Sequence, residues 1–392
     1  MLFRSQSAAT ALPPAKLTLT KVVVNDNGGS AVAADWTLTA NGLPFAAGVE
    51  APIDAGTYAL AESGGPTGYT AGVWTCAGGV LVGGALTVTN GQTATCSITN
   101  DDQPAPTTTV VTSAPDPSLY GSLVTLIATV TGSRGPSGTV QFLVDGVPVG
   151  TPVGVVDGQA AASISTLSVG SHTIAAQYSG DQNNAPSAGT TPHATIPRPL
   201  TVAADNVTAI LGSPLPAFTV AVSGGVVAGD DLGALSCTTA APMTAARLSA
   251  VGGYPIICSG YTNPNYTYTY LDGLLSVVYR IRVIEPTSGG TFPTKSFVPI
   301  RFLLTDVAGN QIPDGEADAL VIPQRTCQVE IVATGAQTEG PDCAKYDSRS
   351  REFSDKWKLR PHGTGAAQID ITVQYLGTPV ITSQSVAIQI VP

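Results

Sequence analysis

This sequence predicts an all-β chain built from several tandem sandwiches, and three observations carry that reading. Short runs of alternating apolar and polar residues, such as Val140-Gln141-Phe142-Leu143-Val144, end in turn signals such as Asp145-Gly146. The 43 glycines and 30 prolines punctuate the whole length, which suits many short strands joined by turns. Charged residues make up only 11%, against about 25% in an ordinary soluble protein. No helix-length window keeps apolar residues at i, i+3, i+4 and i+7 without a Gly or Pro interrupting, so helix is expected to be marginal.

At 392 residues and ~100–150 residues per domain, the length asks for three or four domains. The Pro-rich breaks Asp101-Asp102-Gln103-Pro104-Ala105-Pro106 and Ile196-Pro197-Arg198-Pro199, with a join near Arg280, divide the chain. An unstructured segment 1–14 is followed by sandwiches at 15–103, 104–197, 198–280 and 281–392. A weak repeat supports the division. Gly56-Thr57-Tyr58-Ala59-Leu60, Gly170-Ser171-His172-Thr173-Ile174 and Gly253-Tyr254-Pro255-Ile256-Ile257 each open a late strand with a glycine turn.

The formal net charge of −10 comes with no basic cluster, so the chain lacks the cations that neutralise a row of phosphates, and nucleic acid is not an expected partner. The acidic balance also disfavours anionic membranes. No window of ~20 apolar residues exists for direct membrane insertion. The start, Met1-Leu2-Phe3-Arg4-Ser5-Gln6, lacks the apolar core of a signal peptide.

The six cysteines fall as Cys76/Cys96, Cys237/Cys258 and Cys327/Cys343, with no C-x-x-C and no neighbouring histidine. Three local disulfides are therefore expected, each inside one domain, and they indicate an oxidising compartment. The chain reads as secreted or cell-surface, with its signal peptide and anchor outside this sequence.

Leu17-Thr18-Leu19-Thr20-Lys21, Gly56-Thr57-Tyr58-Ala59-Leu60-Ala61-Glu62 and Ser97-Ile98-Thr99-Asn100 give the first segment its resemblance to the prealbumin-like domains of SpaA and Cna-B type in Gram-positive pilins and adhesins. The second segment, with Pro117-Ser118-Leu119-Tyr120-Gly121, Gly138-Thr139-Val140-Gln141-Phe142 and Gly170 through Asp181, resembles a bacterial Ig-like repeat domain. The third, from Leu200-Thr201-Val202 through Asn263-Pro264-Asn265-Tyr266 to Gly273-Leu274-Leu275-Ser276-Val277, resembles the MBG repeats of YGX type. The fourth, around Phe292-Pro293-Thr294-Lys295 and Pro299-Ile300-Arg301-Phe302, is similar to PxKF-like terminal domains. These resemblances imply tandem Ig-like and prealbumin-like sandwiches in an elongated, monomeric array on a bacterial surface.

Residues that could carry chemistry are few. No G-x-S-x-G, G-x-G-x-x-G or Walker motif occurs. The three histidines read as an edge-packed strand residue (His172), a residue of a Pro-rich linker (His193) and a residue following a proline (His362). Tyr266, Tyr268 and Tyr270 alternate on one strand face near Tyr261. They suit either sugar stacking or a cross-strand aromatic ladder. Asn206-Val207-Thr208 and Asn265-Tyr266-Thr267 fit the N-glycosylation pattern, which carries no weight in a bacterial protein. The charged stretch Asp342 to Arg360 reads as a solvated hairpin. Asp314, Glu316 and Asp318, alternating in a Gly-containing loop, could present oxygens to one calcium ion, the sole cofactor candidate.

Strand parity singles out one constellation. Leu17, Leu19 and Lys21 share a face, as do Tyr58, Leu60 and Glu62, and Cys96, Ile98 and Asn100. Each polar residue continues an apolar row, and burying the three costs several kcal/mol unless they serve each other. Cna-B-like domains use Lys, Glu and Asn in this order for an intramolecular isopeptide bond. The resemblance thus implies autocatalytic crosslinking of Lys21 to Asn100, promoted by Glu62. A buried Lys–Glu ion pair and solvent-exposed strand ends are the competing readings. The expected function is non-enzymatic: a stalk projecting an adhesive or catalytic head. The alternatives are adhesin domains binding a host or environmental glycan or protein, or the accessory region of a secreted enzyme.

Overall fold

The computed structural model describes residues 12–321, 328–337, 339–360, 363–374 and 381–392. Strands dominate, with one α-helix, Asp314–Val321, and one short 3-10 turn among the described residues. The chain divides into two compact units, Met1–Ile196 and Pro197–Pro392.

The first unit holds two sandwiches with separate cores. In the first, one sheet runs Ala51–Ile53, Ala15–Val24, Thr93–Asp102 and Tyr69–Ala71, with Thr75–Ala77 also on Thr93–Asp102. The facing sheet runs Leu43–Phe45, Trp36–Ala40, Gly56–Gly64, Ala85–Val88 and Val80–Val82. Leu17, Leu19, Leu38, Leu60, Leu86, Cys96 and Ile98 fill the space between them. The strict alternation of the sequence is what allows this, since every second residue faces inward. The second sandwich packs Thr107–Ala114, Val124–Gly132 and Gln159–Ile164 against Ser118–Leu119, Ser187–Ile196, Gly170–Tyr178, Thr139–Val144 and Val147–Gly154. Its core centres on Leu126, Val140, Phe142 and Ile174.

In the second unit, Val220–Ser223, Arg198–Ala204 and Tyr266–Leu271 face Val207–Ile210, Gly273–Val278, Gly252–Ser259 and Ser236–Thr239. Next come Arg280–Glu285, Phe297–Thr305, Glu352–Lys358 and Lys345–Asp347, opposed by Thr291–Pro293, Ile381–Val391, Gly365–Gln374, Val329–Gly335 and Glu339–Cys343. Val278 and Tyr279 belong to this last core. The charged stretch does form a hairpin, Lys345–Asp347 against Glu352–Lys358. One face of it is not solvated, because Phe353 and Trp357 point into the core.

Parallel ladders among the described strands recur in one role: they join an early strand of a sandwich to a late one. Ala15–Val24 pairs with Thr93–Asp102 over nine register pairs. Ser118–Leu119 pairs with Thr195 and Ile196 over two. Arg198–Ala204 pairs with Tyr266–Leu271 over six and Val207–Ile210 with Gly273–Val278 over four. Thr291–Pro293 pairs with Gln389–Val391 over three.

Two expectations are corrected here. Asp314, Glu316 and Asp318 lie on the helix Asp314–Val321, not in a loop. At ~100° per residue, alternate helical positions point in opposite directions, so the three carboxylates do not converge. Asp314 instead accepts hydrogen bonds from Tyr346 (2.5 Å) and Arg351 Nε (3.1 Å), and Glu316 accepts one from Tyr279. Acidic residues after Pro313 favour a helix start, and Ala317 and Leu320 bury its inner side. His193 is a strand residue, not a linker residue: it lies within Ser187–Ile196 and is buried. Pro192 suggested a linker, but Ser118–Leu119 pairs only with Thr195 and Ile196, so the side of Pro192 away from Gly170–Tyr178 is a free edge, where proline is tolerated.

Candidate functional site

Lys21 and Asn100 sit on the two parallel strands at the centre of one sheet of the first sandwich. Lys21 is in register with Ile98 and Val23 with Asn100. Both side chains continue inward rows, Leu17-Leu19-Lys21 and Cys96-Ile98-Asn100, and both residues are buried. Glu62 comes from the opposite sheet, on Gly56–Gly64, paired with Leu38. Lys21 Nζ lies 2.5 Å from Glu62 Oε2, with the lysine side chain 0% and the glutamate 12% exposed.

Trp36 closes the site. Its ring centroid is 4.6 Å from Lys21 Nζ, a cation–π contact in a desolvated setting. The ring is held edge-on by Tyr69 at 5.4 Å. Gly65, at φ +83°, leaves it room: a Cβ there would meet the indole at 2.2 Å. Asn100 Oδ1 is buried with no hydrogen-bond partner, a state that costs about 1–3 kcal/mol unless the group has other work. A buried amine, a part-buried carboxyl group and a buried, unsatisfied carboxamide oxygen thus lie on inward rows of the same sandwich. The reading of these residues as exposed strand ends is overturned. Trp36 was missed from sequence, although its parity with Leu38 and Ala40 places it on the inward face beside Glu62.

Disulfides brace the same strands. Cys76 and Cys96 are directly opposed across an antiparallel ladder, with Cα atoms 4.1 Å apart. The bridge fixes the strand carrying Asn100 four residues before it. Cys237 and Cys258 form an equivalent cross-strand bridge in the second unit. Each closed loop contributes ~3 kcal/mol on the chain-entropy scale. Cys343 is disulfide-bonded; Cys327 lies outside the described residues.

His172 and His193 face each other across the ladder of the second sandwich. His193 is hydrogen-bonded through Nδ1 to Ser113 Oγ and through Nε2 to Ser118 Oγ, both at 2.9 Å. Asp116 Oδ1 is 3.7 Å from Nδ1. The order Asp116, His193, Ser118 resembles a hydrolytic triad, but Ser118 and His193 are each 1% exposed, and a nucleophile without access to substrate is a structural group. His362 lies outside the described residues.

His172 donates from Nδ1 to Asp145 Oδ2 (2.7 Å) and from Nε2 to the Ser168 carbonyl (2.8 Å). Two acceptor-only partners require both ring nitrogens to carry protons. Accordingly the Asp145 bond, then the Ser168 bond, raise the imidazole above its ordinary 6.5 against an opposing burial effect. The bond from His172, then the Thr173 N–H, lower Asp145 below 3.8. The histidine's contribution is complete below pH 6.5 and is lost as pH rises through its raised value. The aspartate's contribution is complete above pH 3.8 and is lost as pH falls through its lowered value. The second sandwich is therefore expected to melt highest between those limits and to weaken on the alkaline side. Asp145→Asn should flatten that alkaline slope in calorimetric scans across pH; an unchanged slope would contradict it.

The tyrosines form a ladder along one strand, not across strands. Tyr266–Tyr268 and Tyr268–Tyr270 centroids are 6.4 and 6.2 Å apart, with Tyr261 at 5.7 Å from Tyr268. Their hydroxyls pin loops. Tyr266 donates to Asp230 (2.5 Å), Tyr268 donates to the Asn263 carbonyl (3.2 Å), and Tyr270 accepts from the Tyr261 N–H (3.0 Å). Tyr268→Ala is expected to destabilise this sandwich by about 2 kcal/mol, below the full-burial value because the ring is half-buried. Denaturant titration checks it, and an unchanged midpoint would free the ring for ligand stacking.

Residues 13–98 match the prealbumin-like fold domain, residues 111–197 the bacterial Ig-like domain of group 3, and residues 200–276 the MBG domain of YGX type. In this order they support a bacterial multidomain surface protein made of extracellular structural or adhesion-type repeats. The matched families are Ig-like and structural rather than enzymatic. No curated protein matches the chain.

Among solved structures, the chain is similar to the fibronectin(III)-like modules of Clostridium thermocellum CbhA, at 13% identity, covering 72% of this chain and 94% of that one, with a TM-score of 0.19. It is similar to extracellular domains 3–5 of Drosophila OTK, at 10% identity, 72% and 97% coverage and a TM-score of 0.27. Sidekick-1 immunoglobulin domains 1–4 align at 12% identity over 100% of this chain and 98% of that one, with a TM-score of 0.19. The surface-protein domains and the disulfides point to an extracellular location. No helix of the described residues is long and apolar enough to cross a membrane.

Proposed function

We propose that this chain is a load-bearing stalk of a bacterial surface protein that holds an adhesive or catalytic head away from the cell. The observation that carries the reading is the recurrent parallel pairing of early and late strands. In such a pair the first strand begins at one end and the last strand finishes at the other. Tension on the two termini slides the strands along each other and loads all the ladder bonds together. An antiparallel pair pulled from one end opens one bond at a time.

The test is single-molecule pulling of the full chain. Discrete high-force ruptures are expected; a low plateau would sink the reading. The second sandwich, with two parallel pairs, should yield earliest. In the third, the Cys237–Cys258 loop withholds part of the extension until it is reduced.

The crosslink of Lys21 to Asn100 belongs to the same proposal. Lys21 Nζ attacks Cγ of Asn100, and the Cγ–Nδ2 bond breaks. Glu62 takes a proton from the amine and returns it to Nδ2, which leaves as ammonia. One amide replaces another, so no oxidant or cofactor is needed. The contact of Lys21 with Glu62, the burial of Lys21 and Asn100 and the unpartnered Asn100 oxygen support it.

A further inference from the structure

Arg134 is the only lysine or arginine between Lys21 and Arg198. It sits in the turn after Val124–Gly132, in the second sandwich. Its guanidinium nevertheless reaches the first sandwich. It donates to the Asn27 carbonyl, lies 3.3 Å from the carbonyl of Gln103, and comes within 3.8 Å of Asp102 Oδ2.

Asp102 ends the strand that carries Asn100, and its side chain is 0% exposed. Its carboxylate accepts N–H bonds from Asn27 (2.8 Å) and Gly29 (2.5 Å). Asp26 and Asp101 place their carboxylate oxygens within 4.8 Å of it and of each other. A buried carboxylate beside two more requires a compensating cation, and the one basic side chain of this stretch fills that role.

A second set of bonds flanks it. Asn27 Nδ2 donates to the Gln182 carbonyl and Gln182 Nε2 donates to the Asp26 carbonyl, both at 2.6 Å. The Ala105 N–H donates to the Asn183 carbonyl at 2.9 Å.

From this we infer that Arg134 is an electrostatic staple that locks the first two sandwiches into one rigid body. The segment 25–31 of the first sandwich and the segment 181–184 of the second are its two jaws. Load leaving the Asn100 strand then passes through Asp102 into the second sandwich without a hinge. The inference does not depend on the crosslink, since the staple lies outside the Lys21–Glu62–Asn100 cluster.

Trypsin reads the staple in the wild-type full chain. Cleavage after Arg134 is expected to be at least ~10-fold slower than after Arg349, an exposed turn arginine that serves as internal reference. Equal rates would overturn the inference. Gln182→Ala removes one reciprocal bond and should raise cleavage at Arg134. Arg134→Gln is read by hydrogen exchange, where segment 25–31 should exchange at least ~10-fold faster while strand 15–24 keeps its protection, showing that the sandwich is folded. Unchanged exchange in segment 25–31 would equally overturn the inference.

Discussion

The folded chain is expected to weigh about 17 Da less than its sequence requires, the mass of one ammonia lost when Lys21 replaces the amide nitrogen of Asn100. Glu62→Ala and Glu62→Gln should both restore the full mass, since each removes the proton carrier while Lys21 and Asn100 remain. Stability should follow. The crosslink closes a loop of roughly 80 residues, and on the chain-entropy scale its loss costs about 4 kcal/mol. For a domain of this size that is a fall in melting temperature of some ~15–30 °C.

Stability alone does not decide the matter. Breaking a buried Lys–Glu ion pair costs a similar ~3–5 kcal/mol by leaving one charge unpaired. Mass separates the two readings: an ion pair leaves it unshifted, a crosslink does not. A wild-type chain of full mass would reduce the site to a buried ion pair capped by Trp36.

The parts of this architecture that follow a period of two were legible in the sequence. Leu17, Leu19 and Lys21 could be placed on one face before any fold was known, because a strand offers only two faces. The same arithmetic found Glu62 and Asn100, and local spacing found Cys76–Cys96 and Cys237–Cys258.

What escaped depends on contacts between distant segments. Nothing near Arg134 indicates that its partner is Asp102, and only the fold brings Trp36 over Lys21. The helix Asp314–Val321 was hidden because its eight residues include Gly315 and are too few for a period of 3.6 to declare itself. Its signal was local and weak: a proline followed by acidic residues, with Ala317 and Leu320 three apart. His193 escaped because Pro192 reads as a breaker, and only the sheet order shows that its missing N–H faces an edge.

Pulling experiments on the Glu62 variants should show the largest mechanical change in the molecule. With Lys21 joined to Asn100, the chain between them is bypassed, and tension runs from the first strand straight into the last. The wild-type first sandwich is then expected to contribute almost no extension at any force the other sandwiches survive. In Glu62→Gln the bypass is gone. Roughly 80 residues at ~3.4 Å each become available, about 270 Å of new length.

The disulfide subdivides that length. The Cys76–Cys96 loop, with a sequence separation of 20, withholds ~70 Å until it is reduced. An oxidised variant should therefore extend by about 200 Å and a reduced one by about 270 Å, while the wild type shows neither step with or without reductant. The reductant arm matters because it places the lock. If reduction alone released the first sandwich in the wild type, the disulfide rather than a Lys21–Asn100 bond would be carrying the load. If wild type and variant extended alike, tension would be borne by the nine-pair parallel ladder alone, and the first sandwich would be a non-covalent shear clamp like its neighbours.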